Sequence, residues 1–188
     1  KENFKKVKLI RADSIQNSHK VFNEGKADVL AGLKPKLVEE LLKNKDLKKN
    51  FPFVVCSYSK KNVIRGLHIQ TQRPQGKYIS VLTGKILDVV LDLRKNSKTF
   101  GKTFKIILSD ENCKSLYIPP GFAHGFCGLG KDNHIIYNCT KYRHAKSETG
   151  IKFDDKNLKI KWNTKAPIVS IKDKKNLSFK DFKKKYLK

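Results

Sequence analysis

From Phe51 onward the hydrophobic period of this chain is two, and it stays two as far as Cys139. Phe53, Val55 and Ser57 alternate with Val54 and Cys56. Ile79, Val81 and Thr83 lie on the same side as Lys77. In the next run Leu87, Val89, Leu91 and Leu93 share one face, while Asp88 and Asp92 share the other. Successive strand side chains point to opposite faces, so this spacing predicts strands and not helices. Gly84 separates two of them. Phe104, Ile106 and Leu108 predict another, Leu116–Ile118 a short one, and Phe126–Leu129 and His134–Cys139 a pair joined by a Gly-Lys-Asp-Asn turn. Many short strands with regular turn signals predict a β-sandwich or barrel.

The flanks differ. Residues 34–49 read as a helix, with Leu37 and Leu41, and Val38 and Leu42, at spacing four and Pro35 in the first turn. Val7–Arg11 is strand-like. At the other end Ser178 and Asp181 form a capping-box pattern, and Phe179, Phe182 and Tyr186 give the following helix an apolar stripe. A length of 188 residues suits a single domain. We expect an N-terminal extension over 1–50, a β core over 51–145 and a C-terminal segment with a helix over 146–188.

Charge bounds the partners. Lys and Arg number 42 against 17 acidic residues, a formal net charge of +25. Such a field draws anions. Lysine is spread along the chain and arginine is scarce, so a solvated surface and a small anionic substrate explain the excess better than nucleic acid does. No run of apolar residues reaches membrane-span length, and the first residues lack the pattern of a signal peptide. Cys56, Cys113, Cys127 and Cys139 form no C-x-x-C pair and read as reduced thiols. The expectation is a cytoplasmic protein with neither membrane nor nucleic-acid partners.

Within the β region stands a set of polar residues that a plain core would not keep. Interior polar groups cost free energy unless they are paired. His68, Lys77, Asp88, His124 and Tyr137 each fall on a different predicted strand or strand edge, and alternation inward from facing strands would gather them in a barrel lumen. Taken singly, each has a plainer reading: His68 is a structural histidine, Tyr137 a core tyrosine, Asp88 a buried partner for Lys77.

The ordered run of motifs changes that. RGLHIQ at 65–70, the stretch from Pro74 to Gly101, YIPPGFAHGF at 117–126 and IIYNCTKY at 135–142 resemble the dTDP-4-dehydrorhamnose 3,5-epimerases. Glu148 with GIKFDD, the IKW ending at Trp162 and the SIKD ending at Asp173 extend the likeness to roughly residues 51–173. The resemblance implies an all-β fold, a double-stranded β-helix or cupin jelly roll with short flanking helices, and a homodimer acting on a nucleotide-diphosphate sugar without a cofactor. It implies that His68 is the general base, that Asp173 pairs with and orients it, that Tyr137 is the acid on the opposite face, and that Lys77 stands by the developing enolate oxygen. Arg65 matches a diphosphate ligand. His124, Asp88, Gln70, Ser57 and Arg143 complete the substrate-binding set.

Those residue types suit the chemistry. Inverting a carbon next to a ketone needs a base, a group that stabilises the enolate and an acid on the far face. Histidine titrates near neutrality and serves as a base. A lysine in a dry cavity stabilises an enolate electrostatically, and an arginine fork suits diphosphate. Metal-binding cupins instead need a His-x-His pair with a Glu and a third His. Here the first slot reads His68-Ile69-Gln70, so no metal site is expected.

The chain also departs from the family. An N-terminal Asp-x-Arg-Gly-x-Phe-x-Glu segment is replaced by VFNEGKADVLAGL, the usual Gln and Asn before RGLH are Phe53 and Val55, and Arg143 stands where a second Tyr is usual, with Tyr142 before it. Base and acid persist while nucleotide-recognition groups change, which keeps open a GDP-linked 4-keto-heptose of capsule synthesis as an alternative substrate. Two other classes remain on the sequence alone: a sugar-nucleotide-binding cupin without activity, and a basic nucleic-acid-binding barrel, the latter lacking any ladder of aromatics for stacking bases.

Overall fold

The computed structural model describes residues 51–187. The predicted strand at Val7–Arg11 and the predicted helix over 34–49 lie outside the described residues. Ten strands follow in order: β1 Phe53–Lys60, β2 Val63–Gln70, β3 Lys77–Thr83, β4 Lys85–Asp92, β5 Thr103–Ser109, β6 Ser115–Ile118, β7 Phe122–Gly128, β8 Asp132–Cys139, β9 Glu148–Gly150 and β10 Ile168–Val169. A 3-10 turn spans Ala145–Ser147, and two helices, α1 Ile171–Lys174 and α2 Phe179–Tyr186, close the chain.

The strands form two sheets. The smaller runs β1-β8-β3-β6; the larger runs β10-β2-β7-β4-β5, with β9 also on β2. All pairings are antiparallel except β10 with β2. This is the predicted jelly roll. Ile79 and Val81 of β3 and Ile135 of β8 meet Ile86 and Val90 of β4, Leu108 of β5 and Phe126 of β7 between the sheets.

β4 is buried on both faces. Its even positions, Ile86 and Val90, face the lumen, and Asp88 shares that side by alternation. Its odd positions, Leu87, Val89 and Leu91, belong to a second core on the outer face of the larger sheet, roofed by Trp162, Phe179 and Phe182. The C-terminal stripe is therefore the cover of that sheet. As the sequence predicts, Ser178 caps α2 by accepting the Asp181 N–H.

Turn chemistry holds the rims. Gly84 takes φ +89° between β3 and β4. After β4, Asp92 is 1% exposed and ties down the next loop, accepting from Arg94 Nε at 3.0 Å, Arg94 Nη2 at 2.8 Å, Ser97 Oγ at 2.5 Å and Thr99 Oγ1 at 2.6 Å. The Arg94 fork holds the Asp92 carboxyl well below the usual carboxylate range.

Candidate active site

The site begins with a close approach of backbones. β2 and β7 pair through Arg65↔Phe126 and His68↔His124, with a register shift between them. Gly66 sits in that shift with φ +117°, and a Cβ there would stand 2.5 Å from Gly125 Cα and 2.7 Å from His124 O. Only glycine allows this contact. It sets His68 and His124 side by side on the larger sheet.

His68 Nε2 lies 2.6 Å from Asp173 Oδ1, across 105 residues of sequence. Asp173 lies in a lysine-rich tail that by itself reads as loop. Its neighbours in fact form the single turn of α1, started by Ser170, whose hydroxyl accepts the Asp173 N–H. Asp173 is 3% exposed, and its Oδ2 accepts Gly66 N at 3.2 Å. Burial pushes the Asp173 carboxyl up, but the bonds from His68 and Gly66, with the charges of His68 and Lys172, outweigh it and hold the group below its ordinary value. An ionised Asp173 accepting from Nε2 fixes the tautomer whose lone pair is on Nδ1.

The second histidine repeats the arrangement more deeply. His124 Nε2 is 2.8 Å from Asp88 Oδ2, and both residues are buried. Burial lowers the His124 pKa against the opposing charge of Asp88, which favours a neutral imidazole.

The smaller sheet supplies the facing wall. β8 presents Tyr137, which pairs with Val55 on one side and Ile79 on the other. Its ring meets the His124 ring edge-on, with centroids 5.9 Å apart. Burial, then the nearby Asp88 charge, push the phenol far up; Arg65 and a hydrogen bond with Ser57 act the other way without overcoming them. Tyr137 is thus held as a protonated donor. Lys77, opposite Cys139 at the start of β3, is half-buried, and desolvation lowers its pKa while Cys139, Glu148 and Asp88 pull it back.

The rim carries the remaining groups. Arg65 donates from Nε to Ser59 Oγ at 2.9 Å and from Nη2 to Tyr58 O at 3.0 Å. Ser57 sits with Tyr137. Arg143 forks onto Glu148, Nε to Oε2 at 2.6 Å and Nη2 to Oε1 at 3.1 Å, and Lys172 reaches Oε1 at 2.6 Å. The Arg143 bonds hold Glu148 at about 2 despite its partial burial. Gln70 is committed to architecture: its amide donates to Arg73 O at 2.9 Å and its carbonyl accepts His144 N at 2.7 Å. Phe53, lumen-side on β1, packs on Tyr142 with centroids 5.8 Å apart.

Sequence reasoning assigned no role to Glu148 itself, to Lys172 or to Ser59. An acid among lysines and a serine in a strand carry no local signal; their importance lies in which distant cation each one meets.

A jelly roll whose larger sheet carries an oriented histidine and whose smaller sheet carries a half-buried, protonated tyrosine has the layout of a cupin-type epimerase. The sequence profile described as dTDP-4-dehydrorhamnose 3,5-epimerase matches residues 4–181. The chain belongs to the dTDP-4-dehydrorhamnose 3,5-epimerase family, a family of isomerases of a nucleotide-linked sugar. It is 37% identical over 165 residues to the dTDP-4-dehydrorhamnose 3,5-epimerase of Shigella flexneri, covering 86% of this chain and 88% of that protein. It is 46% identical over 106 residues to the enzyme of the same name from Methanothermobacter thermautotrophicus, a match that spans 56% of this chain and 57% of that one. Among solved structures it resembles the Legionella pneumophila dTDP-6-deoxy-D-glucose-3,5-epimerase in complex with dTDP-4-keto-L-rhamnose, with TM-score 0.71 and 40% identity over 80% of this chain and 79% of that one.

Proposed function

We propose that this protein inverts the carbons flanking the C4 ketone of a dTDP-linked 4-keto-6-deoxy sugar, in the synthesis of a cell-surface polysaccharide. The observation that carries the reading is the placing of His68 and Tyr137 on opposite sheets, so that a sugar ring between them meets a base on one face and an acid on the other. His68, oriented by Asp173, takes the proton next to the ketone through Nδ1. The enolate oxygen that develops is met by the Lys77 ammonium, in a lumen where burial strengthens the interaction. Tyr137 delivers a proton from the opposite face, and the centre inverts. Arg65 at the rim is the diphosphate ligand, with Arg143 and Lys172 adding positive charge there.

Two further features fit this reading. Val54 and Tyr58 are 54% and 46% exposed on the outer face of β1, an apolar face that suits the homodimer. Cys56, Cys113, Cys127 and Cys139 are all free thiols, which suits the reducing cytoplasm. Among the described residues no helix is long and apolar enough to cross a membrane.

Substrate choice is tested by turnover of dTDP- and GDP-linked 4-keto-6-deoxy sugars side by side. The expected outcome is inversion of the dTDP compound with kcat/KM at least about tenfold above that of the GDP compound, roughly 1.4 kcal/mol of discrimination. Preference for the GDP compound would reassign the substrate and leave the chemistry intact.

A further inference from the structure

One buried polar atom in the lumen is left over by the hydrogen bonds. Asp88 is 0% exposed, its Oδ2 accepts from His124, and its Oδ1 has no partner. β4 directs Asp88 to the side of Ile86 and Val90, into the space between the sheets. A buried oxygen without a donor costs about 1–3 kcal/mol, and native folds rarely keep one without using it. The groups around it are those of the reaction. His124 joins it to the edge of the Tyr137 ring, and Lys77 and Tyr137 both feel its charge.

Tyr137 creates a need that this atom meets. On the reading above, each inversion breaks the Tyr137 O–H bond, forms a C–H bond on the sugar and leaves a phenolate on a half-buried side chain between the sheets. The next inversion cannot start until that oxygen is reprotonated. Ser57 donates a hydrogen bond to it but has no proton to spare without a supply of its own. We infer that Asp88 Oδ1 seats a water molecule that returns a proton to Tyr137 after each inversion, with His124 fixing the carboxylate that orients the water. In that step a water O–H bond breaks and the phenol O–H bond re-forms. The hydroxide is neutralised by the proton that His68, with 29% of its side chain exposed, took from the sugar and gives up to solvent. No proton is gained or lost over the cycle. Asp88 is then a positioning residue for the recovery of the acid and stays outside bond-making at the sugar.

The inference rests on Tyr137 being the acid, and rapid-quench kinetics separate the two ideas. Asp88→Asn keeps an oxygen to accept the His124 N–H and removes the anionic acceptor that holds the water. The expected result is a first inversion at the wild-type rate, with an amplitude of one inverted centre per site, followed by later inversions slower by about tenfold, in the range of one proton-transfer contribution. Wild-type enzyme shows no such burst. Asp88→Ser, smaller and still polar, gives the same burst with a shallower slowing, and serves if the asparagine variant does not fold. Equal slowing of the first and later inversions would overturn the relay and put Asp88 in the chemical step or the fold. A raised KM with kcat unchanged would overturn it too, making Oδ1 a contact to a sugar hydroxyl. Wild-type enzyme that inverts nothing defeats the assignment of the site itself, whereas wild-type turnover with burst-free variants defeats the relay alone.

Discussion

His68→Asn is expected to abolish inversion and solvent exchange, by about a thousandfold or more, while the protein stays folded. Asparagine is close to histidine in size and keeps a donor for Asp173, so the link between β2 and α1 is preserved. What disappears is the imidazole lone pair that Asp173 orients. His124 cannot take its place: the residue is 5% exposed, whereas 29% of the His68 side chain is exposed and reachable. Exchange of substrate protons with deuterium oxide, followed by NMR, checks the loss, and a thermal melt checks the fold. Exchange near the wild-type rate would place the base elsewhere.

Tyr137→Phe is expected to separate two events that the wild-type enzyme joins. The substitution removes one oxygen from a ring packed against His124 and flanked by Val55 and Ile79, so the packing holds. His68 and Asp173 are untouched, and the base continues to remove and return a proton on its own face. Deuterium therefore washes into unreacted substrate at a rate within about tenfold of wild type, while inverted product falls by about two to four orders of magnitude, the usual contribution of a positioned acid. Tyr142→Phe is the control: Tyr142 is 67% exposed and packs at a tilt against Phe53, and the split does not appear there. Unchanged inversion in Tyr137→Phe would mean that another donor serves the far face.

Period-two spacing and turn residues made the β core legible because each strand is a local pattern. β6, β7 and β8 were visible in Leu116–Ile118, Phe126–Leu129 and His134–Cys139, although β7 begins earlier, at Phe122, after the Gly121 turn. The burial of both faces of β4 was not legible, since it depends on a C-terminal segment that returns to cover the odd positions. The site divides in the same way. His68, Lys77, Asp88, His124 and Tyr137 stood out as polar residues inside apolar strands. The pairing of His68 with Asp173 did not, because a bond across 105 residues leaves no periodic trace; the family resemblance carried it. Gln70 had a local reason to seem a ligand, next to His68 in the same motif, but its amide is spanned between two loops. The Arg143–Glu148–Lys172 junction had no signal, because surface charges in so basic a chain all look alike until the fold brings them together.

The central claim is that one face of the sugar is deprotonated by His68 and the other is protonated by Tyr137, two groups that do not share a proton. Its most direct test is a single turnover in ordinary water of substrate carrying deuterium at the carbons beside the ketone, with enzyme in excess. The account predicts that each inverted centre of the product carries only solvent hydrogen, since the label leaves on His68 and the new hydrogen comes from Tyr137. Product that is inverted and still carries the label would show one group moving the same hydrogen between faces, and would contradict the account.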